Sequence, residues 1–165
     1  MKMFVPLVGC LLFAGCCLFS SSSEGSHDVQ FVQIFLHTGA LDELDTFHGT
    51  YQKDLIPGTV KTTMWLTTRE QEIIATALER YKFFSLPDTI YKFPANETIS
   101  PNLGTQVLRV KYNGKDKTVV WDSGLELATH NKYKYFIESI TQLIGDIVAS
   151  KPEYKALPPA KGGYQ

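Results

Sequence analysis

Gln106–Asp122 reads QVLRVKYNGKDKTVVWD, and its centre, Asn113-Gly114, is the strongest short signal for a β-hairpin. A two-residue hairpin turn requires positive φ at both central residues, which Asn tolerates and Gly adopts freely. The flanks alternate as strands do, over Gln106–Tyr112 and Lys117–Asp122. Leu108, Val110 and Tyr112 share the face expected inside, and Arg109 and Lys111 point to water.

The connector after Gly124 leads to a helix predicted from Lys132 to about Ser150. Phe136, Ile137, Ile140, Leu143, Ile144, Ile147 and Val148 give it the clearest helical stripe in the chain. Lys151-Pro152 stops it, and the tail Glu153–Gln165 is expected to be irregular, pinned by Tyr154, Leu157 and Tyr164. Upstream, a second hairpin is expected from Phe47–Leu55 and Val60–Leu66 around Pro57-Gly58. Thr67 or Thr68, three residues before Glu70 or Gln71, heads a capping box for a helix with Ile73, Ile74, Ala77, Leu78 and Tyr81 on one stripe. Two hairpin-plus-helix units, Phe47–Phe84 and Thr105–Ser150, thus follow one another. A first strand, Asp28–Leu36, is apolar on both faces, which suggests a central, covered position. His37–Asp45 reads as a polar connector. The expected architecture is α+β: an antiparallel sheet with both helices packed on one face.

Between the units, Ser85–Gly104 carries Pro87, Pro94 and Pro101 with Tyr91, Phe93 and Ile99 between them. Connectors of this length are uncommon and often functional. It reads as a crossover with a short edge strand near Thr89–Phe93, or as a partner-binding loop presenting Tyr91 and Phe93. Trp65 and Trp121 end corresponding strands of the two units. They are core residues or, if both face away from the helices, a partner-binding platform on the open sheet face.

The N-terminal segment is of another kind. Lys2 precedes an apolar run from Met3 to Phe19, interrupted by Pro6 and two glycines, and a serine tract, Ser20–Ser23, follows. A positive start, a short apolar stretch and small residues before a cut are the marks of a secretory signal. Spanning a bilayer takes about 20 apolar residues, which disfavours a retained membrane helix. The signal ends either at a cysteine or by a plain cut near Ser21-Ser22-Ser23. Leu12-Phe13-Ala14-Gly15-Cys16 resembles the lipobox of bacterial lipoproteins, with Ala14, Gly15 and Cys16 in the pattern and Phe13 where Leu is usual. The resemblance covers about a tenth of the chain. It implies that Cys16 receives a diacylglycerol, that residues 1–15 are removed as a signal peptide and that the new amine is acylated. Leu7-Val8-Gly9-Cys10 is the better local match, but its apolar stretch is at the lower limit of length. Residues 16–27 then read as a lipid-anchored flexible tether of Gly/Ser type, and 28–165 as a single domain. The implied location is the cell envelope, with the outer membrane or cell surface favoured over the cytoplasmic membrane. The order of elements resembles small envelope lipoproteins and, more distantly, β-lactamase-inhibitor-like and PepSY-like envelope domains.

Removing residues 1–15 from the 165 leaves 150, enough for one well-buried domain. That part has 15 basic and 17 acidic residues, and lacks the basic excess of a nucleic-acid-binding protein. No cysteine follows Cys17, which excludes intradomain disulfides, thiolate metal sites and a cysteine nucleophile there. Hydrolase elbows, zinc helices, phosphate loops and dinucleotide fingerprints are missing from the sequence. His37, Asp42, Glu43, Asp45 and His48 fall close enough in sequence to suggest a divalent-ion site for a metal-dependent hydrolase, or simply a solvated acidic connector. Asp122-Ser123-Gly124 is a turn sooner than a nucleophile corner. Asn96-Glu97-Thr98 is a glycosylation sequon that matters only in a eukaryotic secreted protein. The expected function is a non-enzymatic binding or accessory domain, without cofactor, held to a membrane and meeting an envelope protein. An inhibitor or immunity-type protein covering a hydrolase, or a secreted non-lipidated protein, is the alternative.

Overall fold

The computed structural model describes residues 30–39, 41–93, 104–128 and 130–162. The expectations for the signal, Cys16, the tether, the sequon and Tyr164 lie outside the described residues. Among those described, seven strands form one sheet in the order β4-β3-β2-β1-β6-β7-β5. They are β1 (Val32–Thr38), β2 (Asp42–Asp45), β3 (Thr50–Asp54), β4 (Thr59–Thr63), β5 (Thr89–Tyr91), β6 (Thr105–Tyr112) and β7 (Lys115–Asp122). The helices are α1 (Thr68–Arg80), α2 (Lys134–Ser150) and the single turn α3 (Pro152–Lys155).

The β6–β7 hairpin closes directly on its turn. Asn113 and Gly114 have φ of 49° and 74°, and Tyr112 pairs with Lys115. Alternation then puts Leu108, Val110, Val119 and Trp121 into the core. Thr67 caps α1 as expected: its hydroxyl accepts the Glu70 N–H at 3.3 Å, and the Glu70 carboxylate accepts the Thr67 N–H at 2.8 Å. Both long helices cover one face of the sheet. Ile74 and Leu78 of α1 and Ile137, Ile140 and Ile144 of α2 share one cluster with Val32, Ile34, Leu108 and Val110. At the far end of the helix pair, Lys151, buried at the end of α2, reaches the Glu70 carboxylate at 2.7 Å.

Several expectations are corrected. The β3–β4 hairpin leads into α1 and the β6–β7 hairpin into α2, but they do not stand as two matching units. The first half is a four-stranded antiparallel meander, β1–β4, followed by α1. His37–Asp45 is not a connector, because β1 runs on to Thr38 and β2 pairs back from Asp42. β2 has one buried apolar residue, Leu44, so its strand state comes from pairing with β1 and not from its own pattern. The sheet is mixed, since β5 runs parallel to β7 at the edge. β1 is central but covered on one side only: Val32, Ile34 and Leu36 enter the core, while Phe35 and the exposed Phe31 do not. Ile73 and Phe136, expected in the buried stripes, are partly exposed, and fully buried Gln71 takes the inward place on α1. The tail is not wholly irregular: Pro152, at the first position of α3, suits a helix start. Tyr154 and Leu157 pack against the core, as expected.

Candidate functional site

On the uncovered face of the sheet, Gln33 and Phe35 of β1 stand beside Val107, Arg109 and Lys111 of β6 and Thr118 of β7. The turn from β2 to β3 adds Asp45, Phe47 and His48, and together these residues line a shallow groove of about 700 Å³. The rule of alternation that buries Leu108 and Val110 delivers Arg109 here. Its guanidinium makes a two-point contact with Asp116, at 3.0 and 2.7 Å, and lies 4.9 Å from the centre of the Phe47 ring. That hydrogen-bonded pairing lowers the Asp116 carboxyl below its ordinary range and raises Arg109. Asp45 organises the turn: one oxygen accepts the N–H groups of Phe47 and His48 at 2.9 and 3.2 Å, and the other meets His48 Nδ1 at 2.6 Å. The groove therefore combines two phenyl rings with the paired Arg109, the hydrogen-bonded Asp45 and the cation of Lys111. Such a surface offers ring faces for stacking and apolar contact, with charges at its rim.

A smaller cleft, about 170 Å³, opens on the other side between β1–β3 and the α2–α3 end. Leu36, Leu44, Ile144 and Val148 form its apolar wall, and Thr38, Asp42, Tyr51 and Tyr154 its polar and aromatic lining. Tyr51 and Tyr154 pack edge to face with ring centres 5.6 Å apart, and Lys53 Nζ sits 4.6 Å from the Tyr154 ring. Asp42 accepts the Asp54 N–H at 2.7 Å. Burial nevertheless raises its carboxyl above the ordinary value, and burial together with the Asp42 charge holds the Tyr51 phenol well above its own.

The raised carboxyl makes stability depend on pH in a stated direction. Folding favours the protonated form of Asp42, so its contribution is fully present below the ordinary carboxyl value and is lost as pH rises through the folded value. Asp42→Asn keeps an oxygen for the Asp54 N–H and carries no charge. Its melting temperature is expected above that of the wild type at pH 7 and equal to it at pH 3. A lower melting temperature at pH 7 would show that the charged carboxylate stabilises the fold.

The residues singled out from the sequence are dispersed. Trp121 is 5% exposed and belongs to the helix-side core. Trp65 alternates with the buried Met64 and Leu66, and its ring lies against Gly49 in the β2–β3 turn. They form no common platform; the open face carries Phe35 and Phe47 instead. Tyr91 and Phe93 are half-buried. Tyr91 packs on the core, and the Phe93 N–H donates to Asp122 at 3.0 Å. Asp122 also accepts the Thr105 hydroxyl at 2.7 Å, so Asp122-Ser123-Gly124 is a bracing turn. The suggested metal ligands are divided. Asp42 lines the helix-side cleft, and Asp45 is tied to His48 on the open face. Among the described residues no group of three or more His, Cys, Asp or Glu is placed to hold an ion. Comparison with known proteins finds no matching family model and no matching curated relative.

Proposed function

We propose that this chain is a non-enzymatic binding domain of a bacterial envelope, tethered to a membrane through a lipid on Cys16. The observation that carries the binding half is the open sheet face. One side of the sheet is sealed by two helices, and the other keeps Phe35, Phe47, Val107 and Arg109 around a groove. An exposed groove of charged groups and aromatic rings matches the composition of protein-recognition surfaces. The anchoring half is supported by the order of Lys2, the apolar run, Ala14-Gly15-Cys16 and the serine tract. No helix among the described residues is long and apolar enough to cross a membrane.

Radiolabelled palmitate tests the anchor. Label is expected in the wild-type chain and in Cys10→Ser, and is expected to vanish in Cys16→Ser. No label in the wild type would replace this reading with a plain secreted protein, and equal labelling of Cys16→Ser would move the anchor to another cysteine. The inhibitor reading shares the same surface. A stoichiometric hydrolase recovered with the wild type and lost with Phe47→Ser would favour it over a general accessory role.

A further inference from the structure

The helix layer turns a second surface to solvent, where α1 ends and α2 begins. Tyr81, Tyr135 and Phe136 form a three-ring cluster there. Ring centres lie 5.9 Å apart for Tyr81–Tyr135, 6.3 Å for Tyr81–Phe136 and 6.0 Å for Tyr135–Phe136. Despite this mutual packing, Tyr135 is 63% exposed and Phe136 37%. Cations border the rings. The Arg80 guanidinium is 5.6 Å from the centre of Tyr81, Lys132 Nζ is 4.8 Å from that of Tyr133, two residues before Tyr135, and Lys82, next to Tyr81 in the chain, is exposed. Half-buried Lys134 opens α2 next to Tyr135. The acids nearby are Glu79, which accepts the Tyr112 hydroxyl at 3.1 Å, Glu138, one turn further along α2, and Asp146, which lines a shallow depression with Arg80 and Tyr81. Cations therefore outnumber acids around the exposed rings.

Tyrosine rings with polar tips, set among long basic side chains, suit the headgroup layer of a bilayer. The rings rest at the boundary of the acyl chains, and Lys and Arg extend along them to reach lipid phosphates. The chain leading out of the fold starts within reach of this surface. The Gln30 side chain donates to the Leu66 carbonyl at 2.8 Å, just ahead of the start of α1. A helix of this length puts the ring cluster ~20 Å from that point. The chain from Cys16 to Gln30 reaches at most ~50 Å when fully extended, which covers the distance with room to spare. A short tether raises the local concentration of a weak surface to the millimolar range.

We propose that Tyr81, Tyr135 and Phe136, with Arg80, Lys82 and Lys132 around them, seat the helix layer on an anionic bilayer and leave the open sheet face turned to the aqueous side. The tether argument rests on the Cys16 anchor, but the surface is testable without it. The processed chain from residue 16 onward, carrying Cys16→Ser, keeps every described residue and bears no acyl group. Its sedimentation is measured with phosphatidylcholine vesicles with and without phosphatidylglycerol, at millimolar lipid. Binding is expected to the anionic vesicles, and to fall about tenfold or more in Lys82→Glu/Lys132→Glu, given the attraction of each cation to an anionic surface. A comparable fall is expected in Tyr135→Ser/Phe136→Ser, with an unchanged thermal transition in both variants. No binding by the parent chain, or equal binding by parent and variants, overturns the proposal. So does a concentration-dependent dimer that Tyr135→Ser/Phe136→Ser abolishes, which would show a second copy on the rings. Loss of palmitate labelling would remove the anchor and leave this result standing. Normal labelling without vesicle binding would remove only the seat.

Discussion

Gly49→Ala is expected to lower stability by about 2–5 kcal/mol, a large share of a small domain's total of about 5–15. Two costs combine. Gly49 has φ of +65°, and a residue with a Cβ pays about 1–2 kcal/mol in that left-handed region. The new Cβ would also overlap the Trp65 ring, and forcing a ring or the backbone aside in a packed site costs about 1–3 kcal/mol. Backbone movement is resisted because the Gly49 carbonyl accepts the Met64 N–H at 2.9 Å, at the point where the chain leaves the sheet for α1. Urea unfolding of Gly49→Ala, Trp65→Ala and the double variant separates the two costs. With the ring removed, the second substitution should cost only the left-handed part. Additivity within about 0.5 kcal/mol would show that the ring is not what the methyl group meets.

Gln71→Leu is expected to cost about 3–5 kcal/mol although the new side chain is apolar, of similar size and on a helix. Gln71 is fully buried, and its side-chain oxygen accepts the N–H groups of Phe31 and Val32 at 2.7 and 3.1 Å. Its amide nitrogen donates to the Leu66 carbonyl at 3.3 Å. One side chain thus satisfies the N–H of Val32, the first residue of β1, and that of Phe31 just before it, where pairing with β6 is only beginning. Leucine leaves these donors without their acceptor; the Val32 N–H is buried, and an unmet buried N–H costs about 1–3 kcal/mol, with a smaller part from the part-buried Phe31 N–H. The measurement is the urea midpoint at constant slope, with amide exchange at Phe31 and Val32 as the local reporter. A loss below about 1 kcal/mol with unchanged exchange there would show that another acceptor replaces the side chain.

The parts of the fold that could be read from the sequence are those whose cause is local. Asn113-Gly114 and its alternating flanks specify a hairpin within a short stretch, and the isoleucines of α2 specify a helix face. β2 was hidden because Asp42-Glu43-Leu44-Asp45 has no strand-like pattern; it is held by β1. β5 was placed correctly as a short edge strand, but its parallel direction depends on β7, distant in sequence. Gln71 looked like an alternative capping partner, since a polar residue near a helix start is ordinary there. Only the three-dimensional path of β1 shows why it is buried. The open groove was illegible for a similar reason. Phe35, Phe47 and Arg109 come from three separate elements, and nothing in their sequence neighbourhoods marks them. The two tryptophans attracted attention by position, but Trp121 faces the core from β7, whereas Trp65 lies beyond the end of β4 against Gly49.

The strand order also bears on how the chain assembles as it is made. β1 comes first in the sheet yet lies at its centre, with β2 on one side and β6 on the other. Val32 must wait for Tyr112, and His37 for Val107, before the second side is closed. Synthesis at about 5–20 residues per second separates these partners by several seconds. During that interval the meander β1–β4 can form from neighbouring segments, while the other edge of β1 keeps its N–H and C=O groups unpaired beside Ile34 and Leu36. An unpaired central edge of this kind is a template for association with another chain. Completion of the β6–β7 hairpin, which needs only local contacts around Asn113-Gly114, is therefore the step that ends the exposure.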